Sequence, residues 1–419
     1  MRPAACAWAA LLLALVGCGA QRVTPDSDGV IASVGPCGRG LLVVESDYQS
    51  SNVSVLDFDG RVLSPSLVSS STQASGFGVA LSGDVVPPSS VQNGAVIALI
   101  DSYPAAMLRF VDLARGRITS ELSVGTGFKS NPHDFLALSE RKAYVPRYEP
   151  NPNSGQQPFD EGADILIVDP SKPEITGRID LTPAMAGVPQ GYSAHPAQVM
   201  RVSERVFVLL ASYADDYKSC QVSRLVEIDP KSDELVSTLL LPDLRGCVHM
   251  ALSPDATQLA VACVGSDLRA MPPKLAGSGL ALVDIQGAPR AVKQFAAAAL
   301  GTDPVGFSLD YAAPDRLLFE TLGHFDRDTG AAAAQDTFLL LDAQTGGTRA
   351  VLQSLSEPFS LGGIRCAPGC GACFATDAER AGGSVLRFTI DGAGELGEPP
   401  QTVRAETRVG LPPRYLGAL

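Results

Sequence analysis

Basic residues are scarce in this sequence. Its 419 residues include 32 Lys and Arg against 45 Asp and Glu, which gives a formal net charge of −13 at pH 7. No cluster or stripe of basic residues offsets this charge. Because a nucleic-acid backbone is itself negatively charged, it would be repelled by the chain. The composition therefore excludes nucleic acid as a main partner.

The short motifs of common hydrolases and nucleotide-binding enzymes are also missing. The sequence contains no G-x-S-x-G, no H-E-x-x-H and no glycine-rich phosphate loop after a strand, and it has only 4 His. These absences remove the usual signatures of serine hydrolases, zinc proteases and nucleotide-binding enzymes. They do not exclude an enzyme whose site is assembled from separate segments. From the sequence we assign no catalytic residue, no cofactor and no metal.

One pattern recurs along most of the chain: an apolar run, an Asp, a tight turn and a second apolar run. It is clearest over 165–181, ILIVDPSKPEITGRIDL, and it returns at intervals of 49–60 residues. A carboxylate that precedes a turn accepts backbone N–H bonds, so we expect these Asp residues to be structural. Short strands repeating at this period are typical of propeller blades. The seven copies contain Asp57, Asp112, Asp169, Asp229, Asp284, Asp342 and, in a looser copy, Asp391.

The repeat predicts an all-β fold, a seven-bladed β-propeller. Each blade should contain four antiparallel strands, a to d, with strand a lining the central channel. The first copy begins at 40–49 with a strand b and has no strand a of its own. The last residues, 407–419, match the step from a strand d into a strand a. We therefore expect the C-terminal strand to join the N-terminal blade and close the ring, which removes open sheet edges.

The first residues have the pattern of an export signal. Arg2 precedes an apolar run from Ala4 to Gly17 that is too short to span a bilayer. We predict a signal peptide over 1–17, a tether over 18–36 and the propeller over 37–419. Leu15-Val16-Gly17-Cys18 resembles the lipobox of bacterial lipoproteins, which implies that Cys18 is lipidated. Two or more acyl chains hold a protein stably on a membrane.

This resemblance implies an address. In bacterial lipoproteins an Asp after the anchor favours the inner membrane, and this chain has Gly19 there. We therefore expect a monomer in the bacterial cell envelope, attached by its lipid to the outer membrane, on either the periplasmic or the surface face.

The remaining cysteines suggest disulfides, because an exported chain meets an oxidising compartment. Cys247 and Cys263 flank a turn symmetrically, and Cys366 and Cys373 flank another, so each pair could face across a hairpin. Cys370 could then reach Cys37, since both should lie on the same face between blades 7 and 1. Cys220 is left unplaced and could compete for Cys247. The C-x3-C-x2-C spacing of 366–373 looks like an iron–sulfur motif, but its place in a β-hairpin favours disulfides.

Two groups of side chains could bind a ligand. The residue before the Pro that opens strand a should lie at the channel mouth, where it could coordinate an ion or a polar ligand, or cap the strand and hold water. Long b–c loops over 146–164, 212–224, 265–279 and 323–337 should surround the same mouth. The mouth candidates are Asn131, His133, His195, Arg245, Asp303 and Glu357. The apolar anchors of this rim are Tyr148, Phe159, Tyr213, Tyr217 and Phe325.

The repeat resembles that of seven-bladed propellers of the YVTN-repeat and lactonase-like group. The resemblance is carried by 251–262 (ALSPDATQLAVA), by 280–285 (LALVDI) and by the step from GTG to Pro over 125–132. The chain departs from the group because it lacks the YVTN tetrapeptide and has long b–c connections. We expect a non-catalytic envelope scaffold that binds a protein or envelope component through its rim. The alternative implied by the resemblance is a lactonase-like hydrolase that uses His195, Arg245 and Glu357.

Overall fold

The computed structural model describes residues 37–71, 80–266, 273–301, 303–406 and 408–419. Their strands form seven four-stranded antiparallel sheets. The inner strands of successive sheets contact one another around a central channel, so the predicted seven-bladed β-propeller is confirmed. The predicted signal peptide, Cys18 and the tether lie outside the described residues. In the part of the chain that the structure describes, no helix is long and apolar enough to cross a membrane.

The strands follow one another along the chain, joined by tight turns in some places and by connections of more than ten residues in others. In chain order they are β1 (Leu41–Ser46), β2 (Ser51–Leu56), β3 (Val62–Ser69), β4 (Val85–Val86), β5 (Val96–Asp101), β6 (Met107–Asp112), β7 (Arg117–Ser123), β8 (Leu136–Ser139), β9 (Lys142–Pro150), β10 (Gly162–Asp169), β11 (Glu174–Ile179), β12 (Pro196–Val202), β13 (Arg205–Leu210), β14 (Val222–Asp229), β15 (Glu234–Arg245), β16 (Cys247–Leu252), β17 (Gln258–Val264), β18 (Ser278–Asp284), β19 (Arg290–Ala296), β20 (Val305–Ala313), β21 (Arg316–Thr321), β22 (His324–Phe325), β23 (Ala332–Ala334), β24 (Thr337–Asp342), β25 (Thr348–Gln353), β26 (Leu361–Ala367), β27 (Ala372–Asp377), β28 (Ser384–Thr389), β29 (Gln401–Val403) and β30 (Pro413–Ala418). The helical segments are single turns at Thr182–Met185, Ala297–Leu300 (α1), Pro368–Cys370 and Arg380–Gly382.

Each blade takes its four strands from consecutive chain segments, except blade 1. Blades 2 to 5 are β4–β7, β8–β11, β12–β15 and β16–β19. Blade 6 contains β20, β21, β24 and β25, and its b–c loop carries the small hairpin β22–β23. Blade 7 is β26–β29, and blade 1 combines β1–β3 with β30.

Ring closure uses both the sheet and a disulfide. Strand β30 pairs with β1, placing Val43 opposite Leu416, which confirms the predicted closure. The Cys37–Cys370 disulfide then links the segment before β1 to the a–b turn of blade 7. The structure also contains Cys247–Cys263 and Cys366–Cys373, so its three disulfides are the pairs expected from the sequence. Cys220 is a buried free thiol.

The repeated Asp residues shape the turns between strands c and d. The Oδ1 atom of Asp169 accepts hydrogen bonds from the backbone N–H and the hydroxyl of Ser171, at 2.9 and 2.6 Å. Asp342 accepts the backbone N–H groups of Gln344 and Thr345 in the same way, at 2.8 and 3.0 Å. These carboxylates replace missing backbone partners at the turn, which is the structural role predicted for them.

Polar side chains on or beside the inner strands join several neighbouring blades. Asp134 accepts the backbone N–H of Val199 at 3.0 Å, which connects blade 3 to blade 4. In the same way, Gln198 of blade 4 accepts the backbone N–H of blade 5's Met250 at 2.6 Å. Blade 6 is joined to blade 7 through the Ser308 hydroxyl, which accepts a hydrogen bond from the backbone N–H of Ile364 at 2.7 Å. Because these bonds lie inside a buried channel, they hold the inner strands at fixed positions.

The a–b loop of blade 2 enters the channel. The hydroxyl of Ser89 in this loop donates to Asp134 of blade 3 at 2.5 Å. The carbonyl of Ser89 accepts from Arg365 of blade 7. Because a–b loops lie at the end of a propeller opposite the b–c loops, this loop fills the far end of the channel. The channel is thereby converted into a cavity that opens at the b–c face.

Candidate ligand-binding site

The centre of the propeller contains a cavity of about 660 Å³. This volume falls within the range of small-molecule sites, roughly 300–1,000 Å³. Its walls combine aromatic, carboxylic and basic side chains with backbone from most of the blades. The side chains that matter below are Tyr48, Asp84, Tyr103, Asn131, His133, Tyr148, Tyr213, Tyr217, His249, Phe307, Glu320, Phe359, Arg365 and Arg414.

One side of the cavity is formed by five aromatic side chains of blades 3 and 4, His133, Tyr148, His195, Tyr213 and Tyr217, which we call the aromatic wall. The rings of His133 and Tyr148 are stacked, with centroids 4.0 Å apart. His195 lies behind them, 4.7 Å from the ring of Tyr148 and 5.2 Å from that of Tyr217. The sequence predicted these residues as two separate groups, a channel mouth and a rim. The structure brings them together in one packed cluster.

Burial keeps both histidines of the wall neutral at physiological pH. Removal from water and, to a smaller extent, the nearby His195 lower the pKa of His133 to about 3. The same cause lowers the pKa of His195 to about 4, against a weaker opposing effect of Asp215. His195 is fully buried, and neither of its ring nitrogens has a hydrogen-bond partner among the described residues.

Two of the three tyrosines of the wall, Tyr213 and Tyr217, are held by hydrogen bonds at their hydroxyls. Tyr217 donates to Glu149 at 2.5 Å, and Tyr213 donates to the carbonyl of Gly265 at 3.2 Å. The Cys220 thiol packs into the same cluster, where burial raises its pKa to about 11. A thiol with this pKa is protonated and is a poor nucleophile at neutral pH.

Four other aromatic side chains, Tyr48, Tyr103, Phe307 and Phe359, surround the opening of the cavity, and we call them the aromatic collar. Their exposed fractions are 61%, 48%, 46% and 47%. Every other aromatic side chain in the described ranges is buried or half-buried. Among the residues that the structure describes, the strongly exposed aromatic surface is therefore concentrated at this one opening.

Glu320 is the most perturbed acid in the cavity wall. Burial, and then the nearby Asp336, raise the pKa of its carboxyl group well above the ordinary value. Asp336 accepts three backbone N–H bonds, from Gly323, Ser360 and Leu361, at 2.6–3.1 Å. Burial therefore disfavours the charged form of Glu320, although the backbone N–H of Phe307 acts in the opposite direction.

The two arginines of the cavity are engaged by backbone carbonyl groups. Arg365 donates to the carbonyls of Leu416 and Ser89. Arg414 donates to the carbonyls of Ser46 and Phe359, at 3.3 and 3.2 Å. No lysine lines the cavity in the described part of the chain. His249 adds a third imidazole whose pKa is lowered by burial, to about 3.

The structure separates the six predicted mouth residues. Asn131 and His133 line the cavity, and His195 lies directly behind the wall. Arg245 instead donates to the carbonyl of Cys220 at 2.9 Å, away from the cavity lining. Asp303 lies 3.8 Å from His324 beside the small hairpin. Glu357 is exposed to solvent outside the cavity lining.

The five predicted rim residues are also divided. Tyr148 and Tyr213 are buried in the wall, and Tyr217 is half-buried. Phe159 is half-buried and packs into the core between blades 2 and 3. Phe325 is half-buried and lies 6.4 Å from Phe359. A protein partner on this rim would therefore need other side chains as its main anchors, and the predicted partner remains a prediction.

Several cavity residues were missed from the sequence. Glu320 interrupts an apolar strand b, and His249 interrupts an apolar strand a, which are the signals that could have indicated them. Arg365 and the aromatic collar carry no comparable signal, because their exposure to the cavity depends on how the blades meet. Among the described residues, no group of three His, Cys, Asp or Glu side chains is arranged to hold a metal ion.

Comparison with known proteins relates the chain by fold. No protein-family model matches it, and no curated protein is similar to it in sequence. A putative 6-phosphogluconolactonase from Bacteroides fragilis has a TM-score of 0.54 at 11% identity, over 90% of this chain and 96% of that one. The periplasmic gluconolactonase of Pseudomonas aeruginosa has a TM-score of 0.51 at 14% identity, over 90% and 98%.

The same fold also occurs in a protein that is not named as a lactonase. The β-propeller domain of Cps50 (Swd1) from Myceliophteria thermophila has a TM-score of 0.51 at 12% identity, over 81% of this chain and 93% of that one. The structural similarity therefore supports the lactonase-like propeller architecture, while function has to be argued from the cavity.

Proposed function

We propose that this chain is a lactonase-like hydrolase whose substrate, an uncharged cyclic lactone of a sugar acid, binds in the central cavity. The observation that carries the proposal is the central cavity of about 660 Å³, open at one end and lined by neutral imidazoles, aromatic rings and a buried carboxyl group whose pKa is raised. Such a mixture of apolar surface and a few directed polar groups is typical of small-molecule sites. The names of two structurally similar proteins suggest the substrate class to test first.

The charges of the cavity favour an unphosphorylated lactone. Arg365 and Arg414 are already bonded to backbone carbonyls, and no lysine of the described residues lines the cavity. A phosphate dianion would also lie near the carboxyl groups of Asp84 and Asp134. Both guanidinium groups stay positively charged, but their N–H donors are partly used by these carbonyls. We therefore expect them to compensate a buried dianion only in part, so that a phosphorylated substrate binds more weakly than its neutral counterpart.

The protonation states suit two steps of lactone opening. Water attacks the carbonyl carbon, the bond from that carbon to the ring oxygen breaks, and the ring oxygen takes up a proton. Glu320, whose pKa burial raises, is the group that we assign to donate that proton. A neutral imidazole such as His133 can accept a hydrogen bond from the attacking water and orient it. The proton that this water loses as the new C–O bond forms passes to solvent in the open cavity, and solvent returns a proton to Glu320 after turnover. The water supplies the hydroxyl group of the new acid, so no cofactor or oxidant is required.

The test is hydrolysis by the detergent-solubilised full chain. Loss of δ-gluconolactone and of its 6-phosphate is followed above the spontaneous rate, and binding is measured by calorimetry. We expect faster opening of the neutral lactone, and at least a tenfold loss of rate in Glu320→Gln, as for removal of a general acid. Glu357→Gln is the matched control, because Glu357 is exposed outside the cavity. Failure of both lactones to bind or react would overturn the proposal.

We also propose that the chain is lipid-anchored through Cys18 at the bacterial outer membrane. The support is the sequence Leu15-Val16-Gly17-Cys18 with Gly19 after it. Cells expressing the chain are labelled with a palmitate analogue, and their membranes are then separated by density. Label and outer-membrane fractionation should both be lost in Cys18→Ser. A labelled Cys18→Ser chain would contradict the anchor.

A further inference from the structure

The aromatic collar has no structural explanation in the fold. Tyr48, Tyr103, Phe307 and Phe359 come from blades 1, 2 and 6 and from the connection between blades 6 and 7, yet all four line one opening. Each is 46–61% exposed, so little of each ring contributes to the core. Aromatic surface kept in contact with water, and gathered in one place, marks a binding surface.

Two of the collar residues also have backbone conformations that are unfavourable for residues other than glycine. The backbone φ angles of Tyr48 and Phe359 are +64° and +62°, in the left-handed region that favours glycine. The turn at Tyr48 is firmly held, because its backbone N–H donates to the Ser46 hydroxyl at 2.8 Å. Side chains retained in such a conformation without being buried point to a role outside folding.

Cationic and hydroxyl groups accompany the collar rings. The guanidinium of Arg414 lies 5.2 Å from the ring centre of Tyr48 and donates to the carbonyl of Phe359 at 3.2 Å. The Nζ atom of Lys129 lies 5.0 Å from the ring centre of Tyr103 and 3.2 Å from its hydroxyl. A flat apolar face bordered by donors and hydroxyls matches a sugar ring, whose C–H face stacks while its edge forms hydrogen bonds.

The cavity is larger than one such ring requires. Its volume of about 660 Å³ corresponds to roughly twenty water molecules at ~30 Å³ each, against about a dozen non-hydrogen atoms in a six-carbon lactone. A single ring bound beside Glu320 would therefore leave space between itself and the collar. The collar lies at the open end of that space.

We propose that the aromatic collar is a second subsite, which stacks a second sugar ring attached to the lactone held in the cavity. The inference rests on the proposed function and deepens it. The preferred ligand is then a two-ring aldonolactone, derived from a disaccharide, with the lactone ring inside and the glycosidic ring at the opening. The collar then favours ligands with a second ring over one-ring ligands, and the inner cavity binds the lactone ring.

The test compares one-ring and two-ring ligands on the full chain. Affinities for δ-gluconolactone and cellobionolactone are measured by calorimetry for wild type, Tyr103→Ala, Phe359→Ala and the control Leu355→Ala. Leu355 is 53% exposed and lies outside the cavity lining, so it matches the collar in exposure. We expect at least tenfold tighter binding of the two-ring ligand, and a loss of about three- to tenfold in each collar variant. Their affinity for the one-ring ligand should be unchanged.

The outcomes separate this inference from the proposed function. Binding of the one-ring lactone with no gain from the second ring, or a loss in the collar variants that is equal for both ligands, would overturn the subsite and leave the proposed function intact. No binding of either lactone would overturn both. Melting temperatures of the variants, expected to match that of wild type, show that an affinity loss is local.

Discussion

The aromatic wall and the aromatic collar face the same cavity but are built differently. The wall packs its rings against one another, at 4.0–6.5 Å between neighbouring centroids, and is covered by Ala197, Ala211 and Cys220. The collar leaves its rings about half exposed, and two of its residues have left-handed backbone conformations. The difference indicates that the wall gives the cavity its shape, whereas the collar is available to a ligand. Residue type alone does not separate these roles.

The largest expected difference between the two regions is in stability. Tyr148→Ala removes a buried ring from the wall and leaves a cavity, so unfolding free energy should fall by about 3–5 kcal/mol. Tyr48→Ala removes an exposed ring and its contact with Arg414 from the collar and should lower it by no more than about 1 kcal/mol. Urea unfolding of the two variants, with their disulfides intact, checks the contrast. Equal losses would show that the collar is structural and would break the comparison.

The fold was predictable because its signals are local and repeated. The turn residues Asp169 and Asp229 end strands β10 and β14, as the repeat predicted. The hairpin cysteines were predictable for the same reason, since symmetry about a turn places Cys247 opposite Cys263. Closure through β30 followed from the missing strand a of the first copy.

The site was less predictable because it depends on how separate blades meet. Alignment on the Pro before strand a found His133 and His195, but it also selected Glu357, whose backbone N–H binds Glu379 while its side chain faces solvent. The position before that Pro therefore does not determine where a side chain points. Exposure of collar residues such as Phe307 is likewise set by the blade angles and by the loop that fills the far end of the channel. Neither is encoded in a short motif.

The wall should weaken as the pH falls. His195 has a native pKa of about 4 against an ordinary value of 6.5, so the unfolded chain takes up a proton first as pH drops. Unfolding free energy should therefore fall between pH 6.5 and pH 4, by about 3 kcal/mol for this group. His195→Phe keeps a ring in place and removes two unpaired nitrogens. Relative to wild type, the unfolding free energy of His195→Phe should therefore increase as the pH falls from 6.5 to 4.

Measuring the difference from wild type isolates the contribution of this histidine. Glu45, whose pKa burial raises to about 8, contributes a pH dependence of opposite sign, but it is present in both proteins and cancels. Tyr213→Phe is the matched control in the wall, because the hydroxyl that it removes does not titrate between pH 4 and pH 6.5. A His195→Phe protein that keeps the wild-type pH profile would show that His195 is accessible to protons in the native state.

The other side of the cavity should respond to pH in the opposite direction. Burial and Asp336 raise the pKa of Glu320, so in the native state its stabilising contribution is fully present below pH 4.5 and is lost as pH rises toward its native pKa. Glu320→Gln should therefore become more stable relative to wild type with rising pH. Unfolding at pH 5 and pH 8 checks this, with Glu357→Gln as the exposed control. A difference that stays constant would place the Glu320 carboxylate in contact with solvent or a cation.

The smallest expected effect on stability concerns Tyr48 of the collar. Replacing Tyr48 by glycine relieves a left-handed backbone conformation that costs an L-residue about 1–2 kcal/mol. It also removes the ring from beneath Arg414, a contact worth about 0.5–1 kcal/mol at an exposed site. Glycine also gives the unfolded chain more conformational freedom, which costs about 0.5–1 kcal/mol. These contributions nearly cancel, so the unfolding free energy of Tyr48→Gly should match that of wild type to within about 0.5 kcal/mol, as measured from the urea midpoint. Tyr48→Phe, which keeps both the ring and the backbone conformation, is the control and should match wild type. A loss of stability in Tyr48→Gly of about 2 kcal/mol or more would mean that the ring supports the fold, and the distinction between collar and wall would then fail at this residue.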